Sequence, residues 1–270
     1  MELRREAVSE SIGYLIIFGL ILTGIGLITL YGYPLLMAQQ SSANTRNMEE
    51  TMIVLQNDIK SLTYQLANYK ETSLMVNGGS LSLYGYTYTP EQFNISWYNT
   101  ISPSTLTSYI FTPGELRYFS TNDNTVISLE NGAVIEKPLA VNGSFMLANP
   151  RWYLDGSTDT LVINLMNLST TPGTTQILSE TGVGTVRMRL SNIRMVMDTV
   201  NGGSSVNITY VALNNQTIMP DGYGVAWKAY LTDPNNLGMT CFNTFPVLNC
   251  GLNSINNIII KEYDIVVETV

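Results

Sequence analysis

Two cysteines, Cys241 and Cys250, stand nine residues apart in the segment CFNTFPVLNC. Thiols at that separation can close one loop as a disulfide, which suits an oxidising exterior and contributes about 2 to 3 kcal/mol by restricting the unfolded chain. A reduced core pair and a two-cysteine metal site are the competing readings. The 270 residues contain no histidine, so a Ser-His-Asp triad and the common Cys/His zinc sites are excluded. Asp155 and Asp159 have the chemistry of an acid/base pair. Asp155-Gly156, however, is a turn signal and Asp159 precedes a strand-like run, so both read as turn residues. The chain is expected to be no enzyme and to carry no cofactor. Trp97, Tyr98, Trp152, Tyr153 and Trp227 could form a sugar-stacking face, although aromatic residues in sheets ordinarily serve as core or cross-strand packing.

A second kind of chemistry is modification. Five Asn-X-Ser/Thr sequons begin at Asn94, Asn142, Asn167, Asn207 and Asn215, and each one used must face solvent. A chain rich in Asn, Ser and Thr also produces such triplets by chance. Charged residues make up only 13% of the chain, and 13 Lys plus Arg against 21 Asp plus Glu give a net charge of −8. Nucleic acid is therefore not an expected partner, because phosphate binding needs clustered cations.

The element that places these groups in space is at the N-terminus. No charge occurs from Ser11 to Thr45, and residues 12–37 are apolar apart from Thr, Tyr and Gly. Twenty-six residues at 1.5 Å each give roughly 39 Å of helix, enough to cross a hydrocarbon core of about 30 Å. The apolar run is longer than that of a signal peptide and lacks a small-residue cleavage site after it, so it is expected to be retained. Arg4 and Arg5 precede the span and the next cation is Arg46, which puts the N-terminus in the cytoplasm and the rest outside. Tyr31 and Tyr33 fall at the outer interface, and Pro34 is expected to kink the helix there. Gly13, Gly19, Gly24, Gly26 and Gly32 would allow close helix packing, or are simply common membrane-helix residues.

Beyond the span, Met48, Met52, Leu55, Ile59, Leu62, Leu66 and Tyr69 recur at alternating spacings of four and three, an amphipathic stem. Its stripe can cover either its own head or neighbouring helices. Asn77-Gly78-Gly79 should end helical character and open a strand. After Ser73 the pattern becomes strand-like: 80–84, 125–129, 160–165 and 186–198 alternate, Asn131-Gly132 marks a tight hairpin, and Asn142-Gly143 and Asp155-Gly156 mark further turns. The residues from 258 onward read as a closing strand. The expected fold is α+β: a long N-terminal hydrophobic helix with an amphipathic stem, then a mainly antiparallel, sandwich-like head. The organisation is 1–10 as a basic cytoplasmic leader, 11–72 as helix and stem, and 73–270 as an extracellular head, with a subdivision possible near 170–182.

The N-terminal fifth, MELRREAVSESIGYLIIFGLILTGIGLITLYGYPLL followed by the stem, resembles the archaeal type IV pilin-like proteins, which include archaeal pilins and archaellins. The block NTVISLENGAVIEKPLAVNGSFMLANPRW is similar to the β-rich heads of archaeal pilin-like membrane proteins. The resemblance implies processing by a prepilin-type peptidase around Arg5, Glu6 and Ala7. With Glu6 as the new terminus, Glu10 is fifth, where related pilins carry a Glu that neutralises a neighbour's terminal amine. It further implies a minor pilin or pseudopilin-like subunit, in homo- or hetero-oligomers with other pilin-like helices, within a filament whose glycosylated head is exposed. The alternative is a single-pass surface protein that never polymerises and binds a partner or surface through its head.

Overall fold

The computed structural model describes residues 3–65, 67–86, 91–98, 106–170, 178–198, 204–212, 222–244 and 247–269. Helices α1 (Leu3–Leu27) and α2 (Tyr33–Tyr64) flank a π-helical turn, Ile28–Gly32. Proline has no N–H to donate to the fourth residue before it. Just before Pro34 the ladder widens, with the Tyr33 N–H donating to the Ile28 carbonyl. The irregularity foreseen at Pro34 is thus a π turn one residue upstream, a common response to an interrupted ladder.

The strands follow in order: β1 (Lys70–Tyr84), β2 (Glu91–Tyr98), β3 (Leu106–Phe111), β4 (Glu115–Ser120), β5 (Thr125–Glu130), β6 (Ala133–Pro138), β7 (Phe145–Ala148), β8 (Tyr153–Asp155), β9 (Thr160–Ser169), β10 (Leu178–Asp198) and β11 (Ser204–Ala212). A short helix, α3 (Gly224–Thr232), precedes β12 (Thr240–Thr244), β13 (Val247–Ile255) and β14 (Asn257–Thr269). They form a nine-stranded sheet, β7-β6-β5-β4-β1-β10-β14-β9-β8, and a five-stranded sheet, β12-β13-β11-β2-β3. All described pairings are antiparallel except β14 with β9, which is parallel. The α+β architecture with a mainly antiparallel, two-sheet head is as expected.

The chain divides into two compact units, Met1–Asn44 and Thr45–Val270. In the second, the large sheet is covered on both faces. Alternation along its strands sends Leu116, Tyr118, Ile127, Leu129, Val134, Met166 and Leu168 to one core, where they meet Met48, Met52, Leu55, Ile59 and Leu62 of α2. The intervening Val126, Ala133, Ile135, Leu161, Ile163 and Leu165 enter a second core with the five-stranded sheet and α3. The order is therefore stem helix, nine-stranded sheet, five-stranded sheet.

Local chemistry sets the turns. Asn131 and Gly132 both have positive φ (48° and 75°) between paired Glu130 and Ala133, as a two-residue type I′ hairpin requires. Two expectations are corrected. The helix ends at Tyr64, so Tyr69 lies outside it and is exposed, while Leu66 is outside the described residues. Asn77-Gly78-Gly79 does not open the strand; β1 already begins at Lys70 and runs through it. Gly78 (φ 68°) marks a bulge between Val76 and Leu81, and a Cβ on Gly79 would sit 2.1 Å from the Phe119 carbonyl oxygen. Those glycines permit a close strand approach rather than a chain reversal. The tract suggested as a subdivision falls mostly on 171–177, outside the described residues.

Candidate functional site: an uncovered helix and the groups around the head

The N-terminal helix presents a long exposed apolar surface. The large hydrophobic side chains from Ile12 to Met37 are 42 to 73% exposed, and the segment has a mean hydropathy of 2.3 in its most apolar window. Added Cβ atoms at Gly13, Gly19, Gly24 or Gly26 would meet nothing, so these glycines serve no packing within the chain. Thr23 and Thr29 turn their hydroxyls back to the carbonyls of Gly19 and Ile25 at 2.8 and 2.9 Å, which removes their polarity from the helix surface. The backbone at Arg5, Glu6, Ala7 and Glu10 is helical.

The stem differs. Met52, Leu55 and Leu62 are fully buried against the large sheet, which decides between the two uses of the stripe: it covers its own head. Polar contacts fix the register. Gln56 Nε2 donates to the carbonyls of Gly132 (2.7 Å) and Asn149 (2.9 Å), and Lys60 Nζ donates to Gln56 Oε1 (2.9 Å). Thr45 Oγ1 donates to Asp123, and Thr72 Oγ1 to Asp58 Oδ2 at 2.5 Å. Glu49 of α2 meets Glu136 of β6; burial, then the Glu49 charge, pushes Glu136 up to about 7.

Between the sheets lie three fully buried carboxylates, Glu91, Glu115 and Glu130. Glu115 pairs with Glu130 across β4 and β5. It accepts from Arg117 Nε at 2.8 Å and Nη2 at 2.5 Å, and from the Tyr223 hydroxyl. Glu91 and Glu130 find no hydrogen-bond partner for either carboxyl oxygen; the Trp227 indole is turned toward Glu130 without reaching bonding geometry. Burial, then the Glu115 charge, pushes Glu91 up to about 8. Burial, then Glu91 and Glu115, raises Glu130 well above the usual carboxylate range. Three acids thus crowd beside the cations Arg117 and Lys137, and the burial and repulsion favour the protonated forms of Glu91 and Glu130. Lys137 Nζ donates to the Gly222 carbonyl at 2.8 Å, and burial lowers Lys137 to about 8. The cluster is no metal centre: among the described residues, no three His, Cys, Asp or Glu are arranged to hold an ion.

A family model spans residues 6–221, from the N-terminal helix past β11. The chain belongs to DUF7289, a family of unknown function. No curated protein and no solved structure matches it.

Other predicted groups of this DUF7289 chain are placed as follows. Cys241 and Cys250 are disulfide-bonded at paired positions of β12 and β13. Asn142 lies in an exposed turn and Asn207 on the exposed face of β11. Asn94 is half-buried with its Oδ1 unpartnered. Asn167 donates through Nδ2 to Asp264 Oδ1 at 3.1 Å. Asn215 lies outside the described residues. The Asp155 carboxyl caps its own turn through Ser157 and Thr158, and Asp159 Oδ2 accepts from Asn256 at 3.2 Å. Trp97, Trp152 and Trp227 are buried, the last two in a ring cluster with Phe93 and Tyr230, so the five aromatics do not form one stacking face.

Proposed function

We propose that this chain is a structural subunit of an archaeal type IV pilus-like filament, of the minor-pilin or pseudopilin-like kind. Its N-terminal helix enters a bundle of similar helices, and its head, glycosylated at Asn142 and Asn207, stands outside. The observation that carries the reading is the contrast along the N-terminal helices. The apolar stripe of the stem is spent on the head's own sheet, whereas the apolar side chains of residues 12–37 are exposed all round. Such a surface needs lipid before assembly and other helices after it.

On this reading the head is exported, the N-terminus starts in the cytoplasm, and a prepilin-type peptidase cuts around Arg5, Glu6 and Ala7. Cleavage places Glu10 near the new terminus, where its carboxylate offsets a neighbour's amine. Intact-mass analysis of the native protein, with electron microscopy of the cell surface, tests this. A mature terminus at Glu6 or Ala7 together with filaments containing the chain is the expected result. An uncut terminus with the chain fixed in the membrane would replace the reading with a permanently anchored, non-polymerising surface protein.

A further inference from the structure

Where β10 lies against β14 the register slips. Leu190 faces Ile265 and Asn192 faces Asp264, leaving Ser191 as an extra residue. A bulge bends its strand and re-aims the side chains at it. Here it brings Ser191 and Asn192 to a surface cavity of about 320 Å³, shared with Asn167 and Ser169 of β9, Asp264 of β14, and Tyr86 just past β1. The site does not involve the N-terminal helix, and two of its residues, Asn167 and Ser169, belong to one of the sequons.

Asp264 is held from both sides. Asn167 Nδ2 donates to its Oδ1 at 3.1 Å and Asn192 Nδ2 to its Oδ2 at 3.3 Å. Those amides orient the carboxylate but use only two of its roughly four lone-pair directions. Arg194, whose charge reaches Asp264, is committed to Glu262 at 2.6 Å. Asn167 Oδ1 has no hydrogen-bond partner. The cavity thus offers an oriented acceptor, the exposed Asn192 side chain, two serine hydroxyls that donate or accept, and Tyr86, whose surface is 42% exposed.

That set matches one ligand chemistry. A lone carboxylate repels anions, and a hard cation such as calcium takes six to eight oxygens, usually with several carboxylates. Adjacent hydroxyls of a neutral sugar donate to carboxylate and amide oxygens, while an aromatic ring covers the C–H face. The volume is at the small end of ligand pockets, roughly 300 to 1,000 Å³, and suits a single ring. We propose that the cleft between the β10 bulge, β9 and β14 binds a neutral, hexose-like polyol through Asp264, Asn192 and Ser191. Asn167 then acts as a positioning residue, with its Nδ2 holding Asp264, and its sequon stays unglycosylated.

The test uses the full chain in a detergent without a sugar headgroup, such as lauryldimethylamine oxide. Saturation-transfer difference NMR is recorded with D-glucose, D-galactose and D-mannose separately, and again with calcium chloride. The expected result is transfer to the ring protons of at least one hexose. Asp264→Asn should weaken affinity at least tenfold, by loss of a charged acceptor, and Ser191→Ala about fivefold. Val183→Ala, an exposed position elsewhere on the sheet, should change nothing. Because Ser191 is solvent-exposed, its variant keeps the test decisive if Asp264→Asn lowers the melting temperature. Absence of transfer from all three sugars, equal transfer in wild type and both cleft variants, or loss of the signal on adding calcium alone would each overturn the proposal. Peptide mapping that found a glycan on Asn167 would do so too.

Discussion

Glu91, Glu130 and Glu136 determine how this head responds to pH. Glu91 and Glu130 hold protons in the folded state that the unfolded chain releases, and Glu136 does the same beside the stem. Their stabilising effect is complete below the unfolded carboxylate value of about 4.3 and is lost as pH rises toward 7 to 8. Lys137, lowered to about 8, opposes this slope only above that pH, where the unfolded lysine keeps a proton the folded one has shed. The melting temperature should therefore fall from pH 5 to pH 7.5, as read by circular dichroism. Glu130→Gln should leave it nearly unchanged at pH 5 and raise it at pH 7.5. Equal effects at both pH values would refute a protonated Glu130. Reducing Cys241–Cys250 should cost about 2.5 kcal/mol by freeing a short loop, visible as a lower midpoint in urea with dithiothreitol. The cysteine pair was legible from spacing and an exported context. The acid cluster was not: Val126, Ser128 and Glu130 alternate with Ile127 and Leu129, and a lone strand with that pattern looks wet on its polar face. Only the second sheet, brought there by distant sequence, makes that face an interior.

The stem α2 shows how a local pattern can be right while its partner stays open. A stripe at spacings of four and three specifies a helix with one apolar face, but the sheet that receives it is assembled from β1, β4, β5, β9, β10 and β14. Met52→Ala should destabilise the head by about 2 to 4 kcal/mol through an unfilled cavity, while Val54→Ala, 48% exposed, should change denaturant midpoints little. Gln56→Ala leaves the buried Gly132 carbonyl and the part-buried Asn149 carbonyl without this donor and should cost about 1 to 3 kcal/mol. α3 escaped the reading because nine residues carry barely two turns. The buried set Ala226, Trp227, Tyr230 and Leu231 has helical spacing that a shorter window would have caught. The parallel β9–β14 pair had no signal at all, since pairing direction is fixed by the path of the chain between strands and not by the residues within them.

The compact unit that holds the head starts at Thr45, not after the stem. A chain cut to 45–270 should be soluble and cooperative. One cut to 70–270 should aggregate, because Leu74, Val76, Leu81, Leu83 and Met188 lose the helix that covers them. Size-exclusion chromatography of the two separates these outcomes, and equal behaviour would mean the stem is dispensable. β14 is an interior strand of the nine-stranded sheet, between β10 and β9, although it follows every other described strand in sequence. Its neighbours are made before it, so β9 with β8 has no neighbour on its inner side until residues 257–269 arrive. Closure is therefore late, with long loops to order first.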